Sequence, residues 1–380
     1  MILQDEENGI EYHIRSVPIA EAIKLKQDGI QFYDNTKLVA VNTCPTFGVL
    51  RYGLHKTEVA MGGRNLALEC GSACHDFFAA LRMWTLGSVE NNQITFAPNI
   101  YYHGQKLFGG DRWSQFCIVP QDSDPKDNAI RFALEALHTA GYYDDPSDRK
   151  RTLANMELAC IAYADRYFQS DLPVLVRGDF IGVEVPFVIE IKRHTTHNNL
   201  HGNSWIGEEV SYYCGRVDGV HEYGEQFITG ENKTSGRLND PWRMSFHMST
   251  QVTGYNLALS AMLGASVVKS IIMGTQIPVP ARDIYSGVAF EEVSRTDSDF
   301  LRWCEWFFHS VQMYQMWQPD PIRAPRYTHS CNRYFSICQF LPYCTATREE
   351  QKELIEQMHV DEWSPLDHVD QAAPIEAEGD

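Results

Sequence analysis

The chain has 380 residues, of which 44% are hydrophobic and 22% charged, with ordinary numbers of Gly and Pro, so it is not collagen-like, low-complexity or wholly disordered. No run approaches the ~18 apolar residues of a membrane helix, and the opening MILQDEENGIEYHI is acidic where a secretion signal is basic and then apolar, so a cytoplasmic location is the expectation. The formal charge is −18, but residues 349–380 hold eleven acids and one lysine, a net of −10 that leaves −8 for everything before them, so a polyanionic partner stays possible.

Taken in chain order, residues 66–85 carry apolar side chains at helical spacing, with Gly71 and Ser72 as weak points, and predict a buried helix. Two further helices are expected over 129–141 and 151–168. Residues 173–192, rich in Val, Ile and Phe, read as two strands joined near Gly178. The polar run from Lys192 to Ser211 contains His194, His197 and His201, but the Thr, Asn and Gly between them favour a hairpin loop over a metal site. YYCGRVDGV and EQFITGENK then form two strands around a turn near Tyr223 and Gly224. A crossover helix follows over 249–264, a strand over 267–279 and an aromatic-rich helix over 299–317. An exposed helix, with its flanks 346–362, and an acidic tail, 363–380, complete the chain. The tail reads as a disordered solvating segment, or else as a partner-binding or DNA-mimicking one. Helices, strands with one crossover helix, and helices again make an α/β fold with helical additions.

The densest chemical signal is Asp218 followed by Glu231 and Lys233. Side chains two apart on a strand share a face, so Glu231 and Lys233 point together, and a hairpin brings Asp218 beside them. Converging carboxylates suit Mg²⁺ or Mn²⁺; a neighbouring lysine can orient a water or meet developing charge. On the following helix Gln251 and Tyr255 stand one turn apart on one face. Cys331, Cys338 and Cys344 cluster near the C-terminus, and Cys44 lies far upstream; four thiolates can hold an Fe–S cluster or a structural zinc. Cys70, Cys74, Cys117, Cys160, Cys214 and Cys304 read as core residues.

GRVDGV, ITGENKTSG and STQVTGYNLAL, in that order, resemble the Asp motif, the Glu-x-Lys motif and the Gln-x3-Tyr helix of the RecB-like branch of the PD-(D/E)XK nuclease superfamily. That branch includes AddB-type nuclease domains, CRISPR-associated iron–sulfur exonucleases and phage recombination exonucleases. GSACHDFFAALR is similar to the family helix that carries a histidine metal ligand, here His75, and VEVPFVIEI to the strand before the Asp motif, with Glu184 at an often acidic position. The resemblance covers residues 40–345 and implies a mixed central sheet flanked by helices over residues 1–345. It implies a cation held by His75, Asp218, Glu231 and the Asn232 carbonyl, with Lys233, Gln251 and Tyr255 completing the catalytic set. It also implies a [4Fe–4S] cluster on Cys44, Cys331, Cys338 and Cys344 that staples the flanks of the core, although the six residues between Cys331 and Cys338 exceed the two expected there.

The activity expected from these residues is metal-dependent hydrolysis of DNA, by an exonuclease of recombination or repair acting on single strands or duplex ends. A catalytically silent DNA-binding or scaffolding protein and an RNA nuclease are the alternatives. Lys192, Arg193, Arg216, Lys233, Arg237 and Arg243 are candidates for a basic groove, with Trp242 available to stack on a base.

Overall fold

A computed structural model describes residues 1–57, 65–86, 88–90, 93–95, 100–102, 105–108, 124–177, 180–198, 204–333 and 336–366. Its centre is an eight-stranded mixed sheet. The strands are β1 (Ile2–Asp5), β2 (Ile10–Ser16), β3 (Phe32–Tyr33), β4 (Val183–Asn198), β5 (Ser204–Tyr223), β6 (Gln226–Ser235), β7 (Lys269–Gln276) and β8 (Val288–Ser294). Their order is β1-β2-β4-β5-β6-β7-β8, with β3 added parallel to β5. All other neighbours are antiparallel except β6 and β7, which run parallel and are joined through helix α8 (Thr250–Leu263). A parallel pair requires such a crossover, whereas the antiparallel pairs β1–β2 and β5–β6 close with turns of four and two residues.

Helices cover both faces. On one side lie α4 (Leu66–Trp84), α5 (Pro125–Thr139) and α6 (Leu153–Gln169); on the other lie α2 (Asn35–Thr43), α8 and α9 (Asp297–Trp317). The first core gathers Phe77, Phe78, Phe132 and Tyr163 against Val188 and Met273 of the sheet. The second gathers Leu257, Trp303 and Phe307 against Phe187, Tyr213 and Val217. The helix starts are chemically marked: Asn65, Thr152, Ser249 and Thr296 each accept a hydrogen bond from the first turn, and Thr296 forms a capping box with Asp299. Gly71, the weak point in α4, is where that helix approaches β6; a Cβ there would stand 3.3 Å from Thr234 Oγ1.

The expected helices and central strands are present, the elements before residue 53 and strand β8 have no counterpart in the sequence reading, and two stretches are misread. The polar run after Lys192 is not all loop: β4 continues to Asn198 and β5 begins at Ser204, as a long ribbon. His194 is a strand residue, 3.6 Å from Glu208, while the His201 turn lies outside the described residues. The second is the start of the tail. After α10 (Leu341–Thr345) and α11 (Arg348–Gln357) the chain folds back along residues 55–57. Thr57 donates to the His359 carbonyl, Asp361 to the His55 carbonyl, and the Trp363 N–H to His55 Nδ1 at 3.3 Å. Tyr52 meets the Trp363 ring edge to face, and Leu366 is buried in the first core. Residues 363–366 are therefore packed, because an aromatic and a leucine interrupt the acids; residues 367–380 lie outside the described residues.

The remaining helices are α1 (Ile19–Gln27) beside β2, α3 (Pro45–Tyr52) after α2, and a short α7 (Asp240–Met244) before α8. No helix among the described residues is long and apolar enough to cross a membrane.

Candidate metal centre

The site lies where the sheet forks. The β5–β6 ladder runs from Tyr223↔Gln226 to Gly219↔Gly230 and stops there. Beyond it β5 continues against β4 while β6 continues against β7. Asp218 and Glu231 are the first residues past the last rung, so both carboxylates stand in the opening between diverging strands. Gly219 and Gly230 close the ladder for a steric reason: a Cβ on either would meet buried side chains, 2.9 Å from Arg82 Nε and 2.6 Å from His221 Nε2. His221 itself is a buried neutral side chain, its pKa lowered to about 3 by burial and then by Arg82.

His75, one turn past Gly71 on α4, brings Nδ1 to 3.4 Å from Asp218 Oδ1. Glu184 joins them: among the described residues, His75, Glu184 and Asp218 form the one trio whose ligand atoms all lie within 4.8 Å of one another, and this trio could hold a metal ion. Glu184 reaches it through a backbone departure. Its φ is +48°, in the left-handed region that glycine favours, and the alternation of faces breaks there, with Val183 in the first core and Val185 in the second. One Glu184 oxygen forms an ion pair with Arg216, 2.8 Å from its Nε; the other, Oε1, is buried with no hydrogen-bond partner.

Glu231 faces the same opening but is held differently. Its Oε1 accepts from Lys233 Nζ at 2.6 Å and from Gln251 Nε2 at 3.0 Å, while its Oε2 is buried and unpartnered. Gln251 also accepts from Lys233 at 3.1 Å and donates to the Tyr255 hydroxyl at 2.9 Å. The expected one-face pair on α8 thus fixes the lysine and carboxylate. Asn232, expected to offer its carbonyl, meets Asp218 through its N–H, which donates to Oδ2 at 2.7 Å.

The charges explain the protonation pattern. Burial alone raises the pKa of Asp218, but His75, Lys233 and the Asn232 N–H reverse this and hold it well below the usual carboxylate range. Burial pulls His75 down, yet Asp218 leaves it above its ordinary value. Glu231 is pushed up to about 7, first by burial and then by Asp218. Lys233 stays charged because Glu231 and Asp218 outweigh its desolvation.

Arg82 and Tyr163 lie beneath and have no counterpart in the sequence reading. Wholly buried, Arg82 donates to the Asn232 side-chain oxygen at 3.1 Å and reaches the Asp218 carbonyl at 3.4 Å; Tyr163 donates to the same Asn232 oxygen at 2.9 Å. Arg82 is seven residues past His75, two helical turns, and that spacing was the signal available.

The carboxylates open into a cleft of about 460 Å³. Arg216 and Lys233 line it, as do Asn35 and Thr36 of α2 and the chain-end segment Trp363–Pro365. Arg237, Trp242 and Arg243 do not. Trp242, expected to stack on a base, packs against Gly274 and edge-on to Phe246, because the small residue on β7 leaves room for an indole. Arg243 pairs with Glu291, Lys192 with Glu190 and Arg193 with Glu209; Arg237 is exposed. The six cations do not form one groove.

Cys44, Cys331, Cys338 and Cys344 all line one pocket of about 530 Å³. Cys44 sits at the α2–α3 junction, and the Cys338 N–H donates to the Cys331 carbonyl, closing a loop that carries two of the sulfurs. Asn35 and Thr36 line this pocket too, so α2 runs between the carboxylate cleft and the cysteines. Cys70, Cys74, Cys160, Cys214 and Cys304 are buried, as expected of core cysteines, and Cys117 lies outside the described residues.

No family model matches this chain, and no curated protein matches it. Among solved structures, the crystal structure of SSO0001 is similar at 18% identity, covering 56% of this chain and 75% of that chain, with a TM-score of 0.26 that carries no argument about function.

Proposed function

We propose that the chain is a divalent-metal-dependent nuclease of the RecB-like PD-(D/E)XK type that hydrolyses DNA, as an exonuclease of recombination or repair. The observation that carries the reading is the placement of Asp218 and the Glu231–Lys233 couple at one fork, with His75 and Glu184 beside them. The mixed sheet flanked by helices, with Gln251 and Tyr255 bonded to that couple, agrees with the resemblance in sequence.

The donor set fits Mn²⁺ or Mg²⁺. His75, Glu184 and Asp218 would hold the cation, and the unpartnered buried oxygens of Glu184 and Glu231 have lone pairs that nothing else satisfies. A cation bound there would lower the pKa of its water and neutralise charge on a phosphate. Lys233, held in place by Glu231 and Gln251, presents its ammonium to the attacking water or to the oxyanion that develops. Arg82 holds the Asp218 carbonyl and the Asn232 N–H holds its carboxylate, which fixes how Asp218 faces the cleft.

The cysteine pocket gathers Cys44, Cys331, Cys338 and Cys344 on one set of walls, and four thiolates there would hold an Fe–S cluster, with structural zinc as the alternative.

The test is digestion of end-labelled single- and double-stranded DNA, with RNA in parallel, in Mn²⁺ or Mg²⁺. Cleavage of DNA that disappears in Asp218→Asn is the expected result. A parent that cuts none of these, or a variant that cuts as fast as the parent, overturns the reading.

A further inference from the structure

Arg216 stands two residues before Asp218 on β5. Val217, between them, is buried in the second core, so Arg216 and Asp218 share the opposite face of the strand, and both line the carboxylate cleft. Glu184 is not among the walls of that cleft. It is buried beside Arg216, its side chain 6% exposed where that of Arg216 is 36% exposed, and the contact is made through Nε. Among the described residues, neither terminal nitrogen of the Arg216 guanidinium makes a hydrogen bond. Lys233, the other cation on the cleft wall, is held by both Glu231 and Gln251. A phosphate entering the cleft therefore meets the carboxyl groups of Asp34, Asp218 and Glu231, and in Arg216 a cation that still has donors to offer. The planar fork of a guanidinium suits two oxygens of a phosphate as well as it suits a carboxylate. Arg216 can thus change partner without a change of chemistry.

We propose that Arg216 is a phosphate-binding residue exchanged between two anions: it neutralises Glu184 while the metal centre is empty, and turns to the substrate phosphate once Glu184 is engaged by a cation. The inference rests on the nuclease reading for its substrate class and deepens it, because it couples the two ligands of the site. Glu184 belongs to the trio that could hold the metal, so the same carboxylate that takes the cation releases the guanidinium. Metal and strand then bind cooperatively, each raising the affinity of the other by the same factor.

Strand binding reads the exchange apart from catalysis. Fluorescence anisotropy of a labelled thymidine homopolymer would be measured in EDTA and in Ca²⁺, with electrophoresis confirming that the strand stays whole, on the parent, Arg216→Gln, Glu184→Gln and the double variant. In EDTA, Arg216→Gln should bind as the parent does, since Glu184 then occupies the guanidinium. In Ca²⁺ it should bind roughly tenfold more weakly than the parent, the scale of one hydrogen bond to a charged group, and with a smaller salt dependence. Glu184→Gln frees the guanidinium without any cation, so it should tighten binding in EDTA, and the double variant should lose that gain. This second arm keeps the test open if the carboxylate left unpaired in Arg216→Gln disturbs the fold. An equal loss for Arg216→Gln in EDTA and in Ca²⁺ overturns the proposal, because Arg216 would then be a standing contact. Parent-like affinity under both conditions overturns it too, as does a Glu184→Gln that binds no more tightly in EDTA, or a parent whose affinity Ca²⁺ leaves unchanged. If no nucleic acid is ever cut yet the loss appears in Ca²⁺ alone, the nuclease reading fails and the exchange stands; if DNA is cut and the two losses are equal, the exchange fails and the nuclease reading stands.

Discussion

Replacing Glu184 separates a ligand from a structural residue, because its backbone geometry and its carboxylate make opposite demands. A non-glycine residue in the left-handed region carries about 1–2 kcal/mol of strain; glycine relieves it and adds up to about 1 kcal/mol of unfolded-chain entropy. Arg216, 36% exposed at its side chain, can turn to water when its partner goes. Glu184→Gly is therefore expected to keep the parent's stability in EDTA to within about 1 kcal/mol. Its cation affinity should not survive. Partners that merely orient a ligand are worth about 10–100-fold in metal affinity, so loss of one of three ligands costs at least about tenfold. With Mn²⁺ at about a hundred times the parent's Kd, binding stabilises the parent by about 2.7 kcal/mol and a tenfold weaker variant by about 1.4 kcal/mol. Urea melts with and without Mn²⁺, together with a calorimetric titration, read both quantities, and Glu184→Gln repeats the test with the side-chain volume kept. Equal Mn²⁺ affinity in parent and variants refutes the ligand assignment. A large loss of stability in EDTA with binding intact would show that the carboxylate serves the fold.

Lys233→Ala should leave Mn²⁺ binding largely intact and slow DNA cleavage by about a hundredfold or more; equal single-turnover rates would remove the lysine from the chemistry. Mn²⁺ affinity should rise with pH across neutrality. Glu231, pushed up to about 7 by burial and then by Asp218, gives up its proton beside an entering cation, and His75, raised by Asp218, must lose its own to ligate. A pH-independent Kd refutes that pattern. Anaerobically purified protein should be brown, and Cys338→Ser should lose the colour; colourless protein with stoichiometric zinc would assign the pocket to zinc instead.

Much of the fold was legible because its elements are long and patterned. The apolar stripe of α4, the aromatic run of α9 and the Val- and Ile-rich strands carry their own signals within a few residues. Glu231 and Lys233 were readable together because strand alternation is local. The α1–α3 region and the β1–β2 hairpin are short and mixed in polarity, and they take their shape from the sheet and α9. The role of Glu184 depends on a reversal of φ at one residue, for which Glu carries no propensity. Trp363 is fixed by His55, 308 residues away, and no window of sequence joins the two. Trp242 misled because a surface-like composition around it concealed the space that Gly274 provides.

Helix α2 has nine residues, about 13 Å of rigid rod, with the carboxylate cleft at one end and Cys44 at the other. Near the cleft, Asn35 accepts a hydrogen bond from Thr250, the neighbour of the Gln251 that positions Lys233. The rod makes the two ends mechanically one object. If the proposed nuclease reading holds, a molecule whose cysteine pocket has been emptied is expected to lose its aim at a phosphate before it loses its fold, so the state of four sulfurs one helix away would set the rate of cleavage.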